Sequence, residues 1–174
     1  MNAFAKYSAI LAQQIERSYA IRIITRDVPD PLVGDLNGTE IHIDFAVTAE
    51  DRLFLLAHLF GHTVQWNVDP ELAALGTPQQ PPVPESMLPA LMNYESEAAG
   101  YGLSLLHSVG IKDLDQWMSD YSACDMAYLR HYYLTGEKQH PQDFFVKDTP
   151  LLQPRPIPKF HPTRFRSRSE GIVI

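Results

Sequence analysis

Apolar side chains recur at helical spacing from the start of the chain. In residues 3–18 (AFAKYSAILAQQIERS), Phe4, Tyr7, Ile10, Leu11 and Ile15 share one face, which predicts an amphipathic helix. Residues 19–26 (YAIRIITR) are rich in β-branched side chains and roughly alternate, so they predict a strand. The stretch 27–37 holds two prolines, Gly34 and three aspartates and predicts a loop. Alternation returns in residues 38–44 (GTEIHID), with Ile41 and Ile43 on one face. This predicts a second strand, antiparallel to the first.

A long helix is expected to open at Thr48, with Thr48 as its cap and Asp51 as the acidic member of a capping box. Its apolar run from Leu53 to Phe60 is nearly continuous, the pattern of a central, buried helix, and it should end ahead of Pro70. Residues 70–84 (PELAALGTPQQPPVP) predict an exposed loop. Another helix is expected from about 86 to Gly110. Two more follow, over 113–121 and 123–135, with Ser122 and Asp125 as caps and Gly136 as the stop. The expected fold class is α+β: a small antiparallel sheet packed on a helical bundle in residues 1–149, then an extended Pro/Arg-rich tail over 150–174.

Composition adds bounds. With 174 residues, 45% hydrophobic and 20% charged, the chain suits one ordinary globular domain. No apolar stretch has the length of a membrane span, and no signal peptide is evident at the N-terminus. The single cysteine, Cys124, excludes an internal disulfide and points to a reducing, cytoplasmic setting. The net charge of −7 argues against nucleic acid as a partner. The charge is uneven: nine Lys+Arg stand against 20 Asp+Glu up to residue 149, and five against one beyond it. A basic tail on an acidic body reads as a strap held by Phe160, Phe165 and Ile172. A partner-binding arm with Arg164, Arg166 and Arg168 is the weaker reading.

The central helix contains His58 and His62, four residues apart and therefore on one face. One helix supplies two nitrogens to a Zn²⁺ ion at this spacing. Two buried imidazoles left without partners would cost about 1–3 kcal/mol each, so something must satisfy them. Gly61, beside His62, allows close approach of another backbone. In the helix beginning near 86, the stripe Leu88, Met92, Glu95, Ala99, Gly102, Leu106 and Val109 contains one charged residue, Glu95. Glu97 falls on the opposite side. His58, His62 and Glu95 form a His₂Glu set, an arrangement used by catalytic zinc sites. The same residues also fit a metal-free hydrogen-bonded cluster.

The segments LLAHLFGHTVQW and YESEAAGYGLSLL, in this order behind GTEIHID, resemble the active-site helices of gluzincin metallopeptidases, especially the ImmA/IrrE family, over about residues 5–110. The resemblance implies a zincin-like fold, a Zn²⁺ held by His58, His62 and Glu95, and a peptide or protein partner in the cleft, with a transcriptional regulator as one candidate. The family's general-base Glu follows the first histidine; here that position is Leu59. Four residues after Glu95 stands Ala99, where the family has an acid or amide. The expectation is therefore a catalytically impaired pseudo-peptidase that acts by binding. The alternatives are an active zinc hydrolase with a displaced base and a metal-free scaffold. Glu50 and Asp51 lie too far along the helix to replace the base. His42 is expected on the exposed face of its strand, Cys124 as a structural residue, and Tyr128, His131, Tyr132 and Tyr133 as a packing surface.

Overall fold

The computed structural model describes residues 2–29, 32–76 and 80–165. Helix α1 (Ala3–Tyr19) is capped by Asn2, whose side chain accepts from the Phe4 amide, and it buries Leu11 and Ile15. The strands are β1 (Arg22–Arg26), β2 (Gly34–Leu36) and β3 (Glu40–Asp44), in the order β1-β3-β2. β1 pairs with β3 in parallel, and β2 pairs with β3 antiparallel. The sheet is thus mixed, which corrects the antiparallel expectation.

The reason lies in the segment expected to be a loop. Its end forms β2, and Asn37-Gly38-Thr39 turns the chain back into β3. Asn37 Oδ1 accepts from the amides of Thr39 (3.1 Å) and Glu40 (2.9 Å), and Gly38 adopts φ +91°. Asn-Gly is a hairpin signal, here attached to a strand of only three residues. The tight turn joins β2 to β3, which leaves β1 as the parallel partner on the other side.

Helix α2 (Ala49–Val68) starts at Thr48, whose hydroxyl accepts from the Asp51 amide at 3.1 Å and lies 2.7 Å from Asp51 Oδ2. It is buried from Phe60 through Trp66 and lies at the centre of the molecule, against α1, the sheet and α4 (Leu88–Ser108). Between them, Pro70–Leu75 forms a short helix, α3, capped by Asp69 with Pro70 in its first turn. Val83 is buried and its amide donates to the Tyr133 carbonyl at 2.8 Å. The 70–84 segment is therefore not the plain exposed loop expected; residues 77–79 lie outside the described residues.

Residues Asp115–Thr135 form one helix, α5, where two were expected. Ser122 and Asp125 are therefore not caps but lie inside the helix. Ser119 and Ser122 are buried on its packed face, and Ser119 Oγ donates to the Asp115 carbonyl at 2.7 Å, a bond that leaves the helix intact. Gly136, at φ +72°, ends it as expected.

The main core joins Leu11, Ile15, Ile41, Ile43, Phe60 and Trp66 to Leu103 and Leu106; a smaller one holds Val83, Leu88, Leu91, Tyr132 and Tyr133. Residues 150–165 run irregularly over the body. The Arg155 amide donates to the Gly100 carbonyl at 3.1 Å, the Thr163 amide to Asn67 Oδ1 at 2.6 Å, and the Phe165 amide to the Asn37 carbonyl at 2.5 Å. Phe160 stacks on Tyr19, and Phe165 meets Trp66 edge-on. Arg166, Arg168 and Ile172 lie outside the described residues. Among the described residues, no helix is long and apolar enough to cross a membrane.

Candidate metal centre

The site is built on the seam between α2 and α4. Two glycines allow the helices to touch. A Cβ on Gly61 would strike the Ala98 backbone, and one on Gly102 would lie 2.7 Å from the Ala57 carbonyl oxygen. This close approach brings Glu95 of α4 against His58 and His62 of α2, and all three are buried.

Their inward atoms form a small triangle. His58 Nε2 lies 2.9 Å from Glu95 Oε2, His62 Nε2 lies 3.1 Å from the same oxygen, and the two Nε2 atoms are 3.0 Å apart. A tetrahedral zinc ion with bonds near 2.0–2.1 Å has ligand–ligand edges of about 3.3 Å. The triangle is slightly tighter than that, and the three residues lie close enough to hold a metal ion.

Aromatic packing fixes both rings. Phe54 stacks on His58 at 5.2 Å and Tyr94 on His62 at 4.3 Å, with the imidazoles themselves nearly perpendicular at 85°. Tyr94 is held in turn by the Trp66 indole, which donates to its hydroxyl at 2.7 Å.

A second set of contacts determines the protonation of His62. The Gln65 amide nitrogen donates to the Tyr94 carbonyl at 2.9 Å and to Glu97 Oε2 at 3.1 Å. With both hydrogens so used, Gln65 Oε1 faces His62 Nδ1 at 2.8 Å and must accept from it. A neutral His62 therefore carries its hydrogen on Nδ1 and turns a bare Nε2 toward Glu95, the tautomer a metal requires. A bare nitrogen and a carboxylate oxygen 3.1 Å apart repel unless a proton or a metal cation lies between them. A proton on His58 Nε2 reaches both Glu95 Oε2 at 2.9 Å and His62 Nε2 at 3.0 Å, but it does not lie between His62 Nε2 and Glu95 Oε2, whereas a metal cation at the centre of the triangle faces all three. In the absence of a metal, burial opposes the charge on Glu95, yet His62 and His58 in their protonated, imidazolium form outweigh it and hold the carboxyl well below the usual carboxylate range.

Of the other residues weighed in the sequence, His42 stands elsewhere than expected. Glu97 faces away from the triangle but is connected to it: it accepts from Gln65 and pairs with Arg155 of the tail at 2.9 Å. His42 is buried, not exposed, and its Nε2 lies 3.0 Å from Glu40 Oε2, because β3 is the middle strand and is covered on both faces. Glu50 and Asp51 anchor α5, accepting from the Trp117 indole at 2.8 Å and from the Tyr121 hydroxyl respectively. The Cys124 thiol is pushed up by burial and by Asp125, and it donates to the Pro141 carbonyl at 3.1 Å, in keeping with a structural residue.

Above the triangle opens a cleft of about 220 Å³. Leu55, His58 and Leu59 line one side, Val33 and Gly34 at the start of β2 another, and Asp125, Tyr128, Tyr132 and Tyr133 of α5 a third. Leu59 is 2% exposed and packs under Gly34, at the position where the resemblance would place a base. His131 does not join the tyrosines there; its ring lies against Phe144.

Asp125 was missed by sequence reasoning, which assigned it to a helix cap. Its Oδ2 lies 4.0 Å from His58 Nε2. Once α5 is read as unbroken, Asp125 falls one turn before Tyr128 and Leu129, a spacing that would have put it on their face. No family model, curated protein or solved structure matches this chain.

Proposed function

We propose that this chain is a zinc-binding protein with a metallopeptidase-like cleft, and that it binds a peptide or protein partner there without cutting it. One observation carries the reading: Nε2 of His58, Nε2 of His62 and Oε2 of Glu95 lie within 3.1 Å of one another, and Gln65 holds the His62 tautomer that leaves Nε2 bare. Imidazole nitrogen with one carboxylate favours Zn²⁺ over Mg²⁺ or Ca²⁺. The order of α1, small sheet, α2 and α4 supports the likeness to a zincin.

Zinc in such a site supplies Lewis-acid polarisation. Peptide hydrolysis also needs a group that takes a proton from water and gives one to the leaving amine, an assistance worth about 10²–10⁴ in rate. Leu59 does neither. Binding requires less. β2 borders the cleft, and an extended peptide would lie along the cleft beside it. The apolar and tyrosine-rich walls suit its side chains. A transcriptional regulator remains one candidate partner, by resemblance alone.

The test is elemental analysis of tag-free protein beside His62→Ala, together with an assay on a denatured protein substrate. The expected result is about one zinc per chain, its loss in the variant, and no cleavage above a chelated control. Absence of zinc from both proteins after zinc is supplied would sink the metal reading. Zinc-dependent cleavage would favour an active hydrolase instead.

A further inference from the structure

We infer that Asp125 is a fourth protein ligand, so that the metal site is a closed His₂GluAsp centre joining α2, α4 and α5. The inference rests on the reading that the triangle holds a metal ion.

Three observations meet at this residue. The first is distance. Asp125 Oδ2 lies 4.0 Å from His58 Nε2, about 0.7 Å beyond a tetrahedral zinc edge of ~3.3 Å. Asp125 stands outside the group whose ligand atoms lie within 4.8 Å of one another, so its carboxylate has to swing toward Glu95 and His62 as well; the side chain is short and 29% exposed on a partly open wall, which leaves it room to turn. The second is direction. Glu95 and Asp125 approach His58 from different helices, and both line the same cleft. The third is charge. Two neutral imidazoles and two carboxylates carry −2, which a divalent cation balances. The one lysine among the residues lining the cleft, Lys138, offsets a single carboxylate.

Closure separates two kinds of zinc site. A catalytic site keeps one position open for water or substrate, whereas a structural site takes all four ligands from the protein. With Leu59 in place of a base and Asp125 in the fourth position, this centre belongs to the second kind. It fixes α5, and with it the tyrosine wall of the cleft, against α2 and α4. A partner would then be recognised by a wall whose position depends on the metal.

The test uses the full chain loaded with Zn²⁺ or, for spectroscopy, Co²⁺. Zinc affinity is measured by competition with a chelator for the unaltered protein, Asp125→Asn and His62→Ala. Azide is titrated into the Co²⁺ form of the unaltered protein, a measurement that needs no variant to fold. The expected results are a loss of at least ~100-fold in zinc affinity for Asp125→Asn, above the range for a group that only supports a ligand, and a Co²⁺ spectrum unmoved by azide. An unchanged affinity in Asp125→Asn, or a spectrum that shifts with azide, overturns the closed centre while the three-ligand site stands. Failure of the unaltered protein to bind zinc, or full binding by His62→Ala, overturns the three-ligand site and this inference with it.

Discussion

Two glutamates on α4, two residues apart, meet opposite surroundings. Glu95 faces α2 across a seam that glycines have closed. It is buried and, among the described residues, faces two imidazoles and no arginine. Glu97 faces the tail, where Arg155 bridges it at 2.9 Å with nearly half of the arginine side chain exposed. Gln65 connects the two sides, contacting His62 on one and Glu97 on the other. The same residue type thus serves two purposes. At the strap it makes a solvent-screened ion pair of small energetic weight. In the seam it is a carboxylate whose removal leaves buried polar groups exposed to each other.

The largest expected effect comes from forcing the seam apart. Gly61→Ala places a methyl group against the Ala98 backbone, which cannot yield as a side chain would. We expect a loss of about 3 kcal/mol or more in urea denaturation, at the upper end for overpacking. Chelation comes next. A ligand that binds only the folded state at a hundred times its Kd stabilises it by about 2.7 kcal/mol. The unaltered protein should lose that amount on adding a chelator, while Glu95→Ala, already destabilised, should show no chelator-dependent shift in Tm. An equal shift in both would dissociate Glu95 from the metal.

Gln65→Leu tests the connection between the two sides. It removes the acceptor that holds the His62 tautomer, and a 10–100-fold loss of zinc affinity is expected from a chelator competition. Arg155→Ala should cost under about 1 kcal/mol in the same denaturation assay and leave zinc content unchanged. A loss of zinc in Arg155→Ala would show that the strap and the seam are not separable.

The smallest effect concerns acid stability. Asp120 accepts from the Thr149 amide, the Thr149 hydroxyl and Gln116, and these bonds, Thr149 first, depress its carboxyl to about 2 against partial burial that opposes them. A depressed folded-state pKa gives stability that is present above the unfolded value near 4 and is lost as pH falls from there to about 2. Asp120→Asn should therefore flatten the decline in stability between about pH 4 and 2 relative to the unaltered chain, read by acid titration of the far-UV circular dichroism.

Much of the site was legible because it is local. A four-residue interval puts His58 and His62 on one helical face wherever that helix packs, and a single carboxylate in an apolar stripe marks Glu95 as inward-facing. Gly61 announced the close approach that the Ala98 backbone makes. The cap at Thr48 and the stop at Gly136 were likewise readable, since they depend on neighbours in sequence.

What escaped was non-local. Whether β3 lies at the edge or in the middle of the sheet depends on a strand of three residues, too short to show alternation, and the exposure of His42 follows from that placement. Glu97 reads as a surface acid until the tail delivers Arg155 from far along the chain. Asp125 looks like a cap while α5 is divided, and like a neighbour of His58 once the unbroken helix lies over the cleft. The sequence by itself determined which side chains share a helical face, because that follows from 3.6 residues per turn. Only the tertiary structure decided which faces meet, because the pairing of helices and strands is a contest among many apolar surfaces of similar strength.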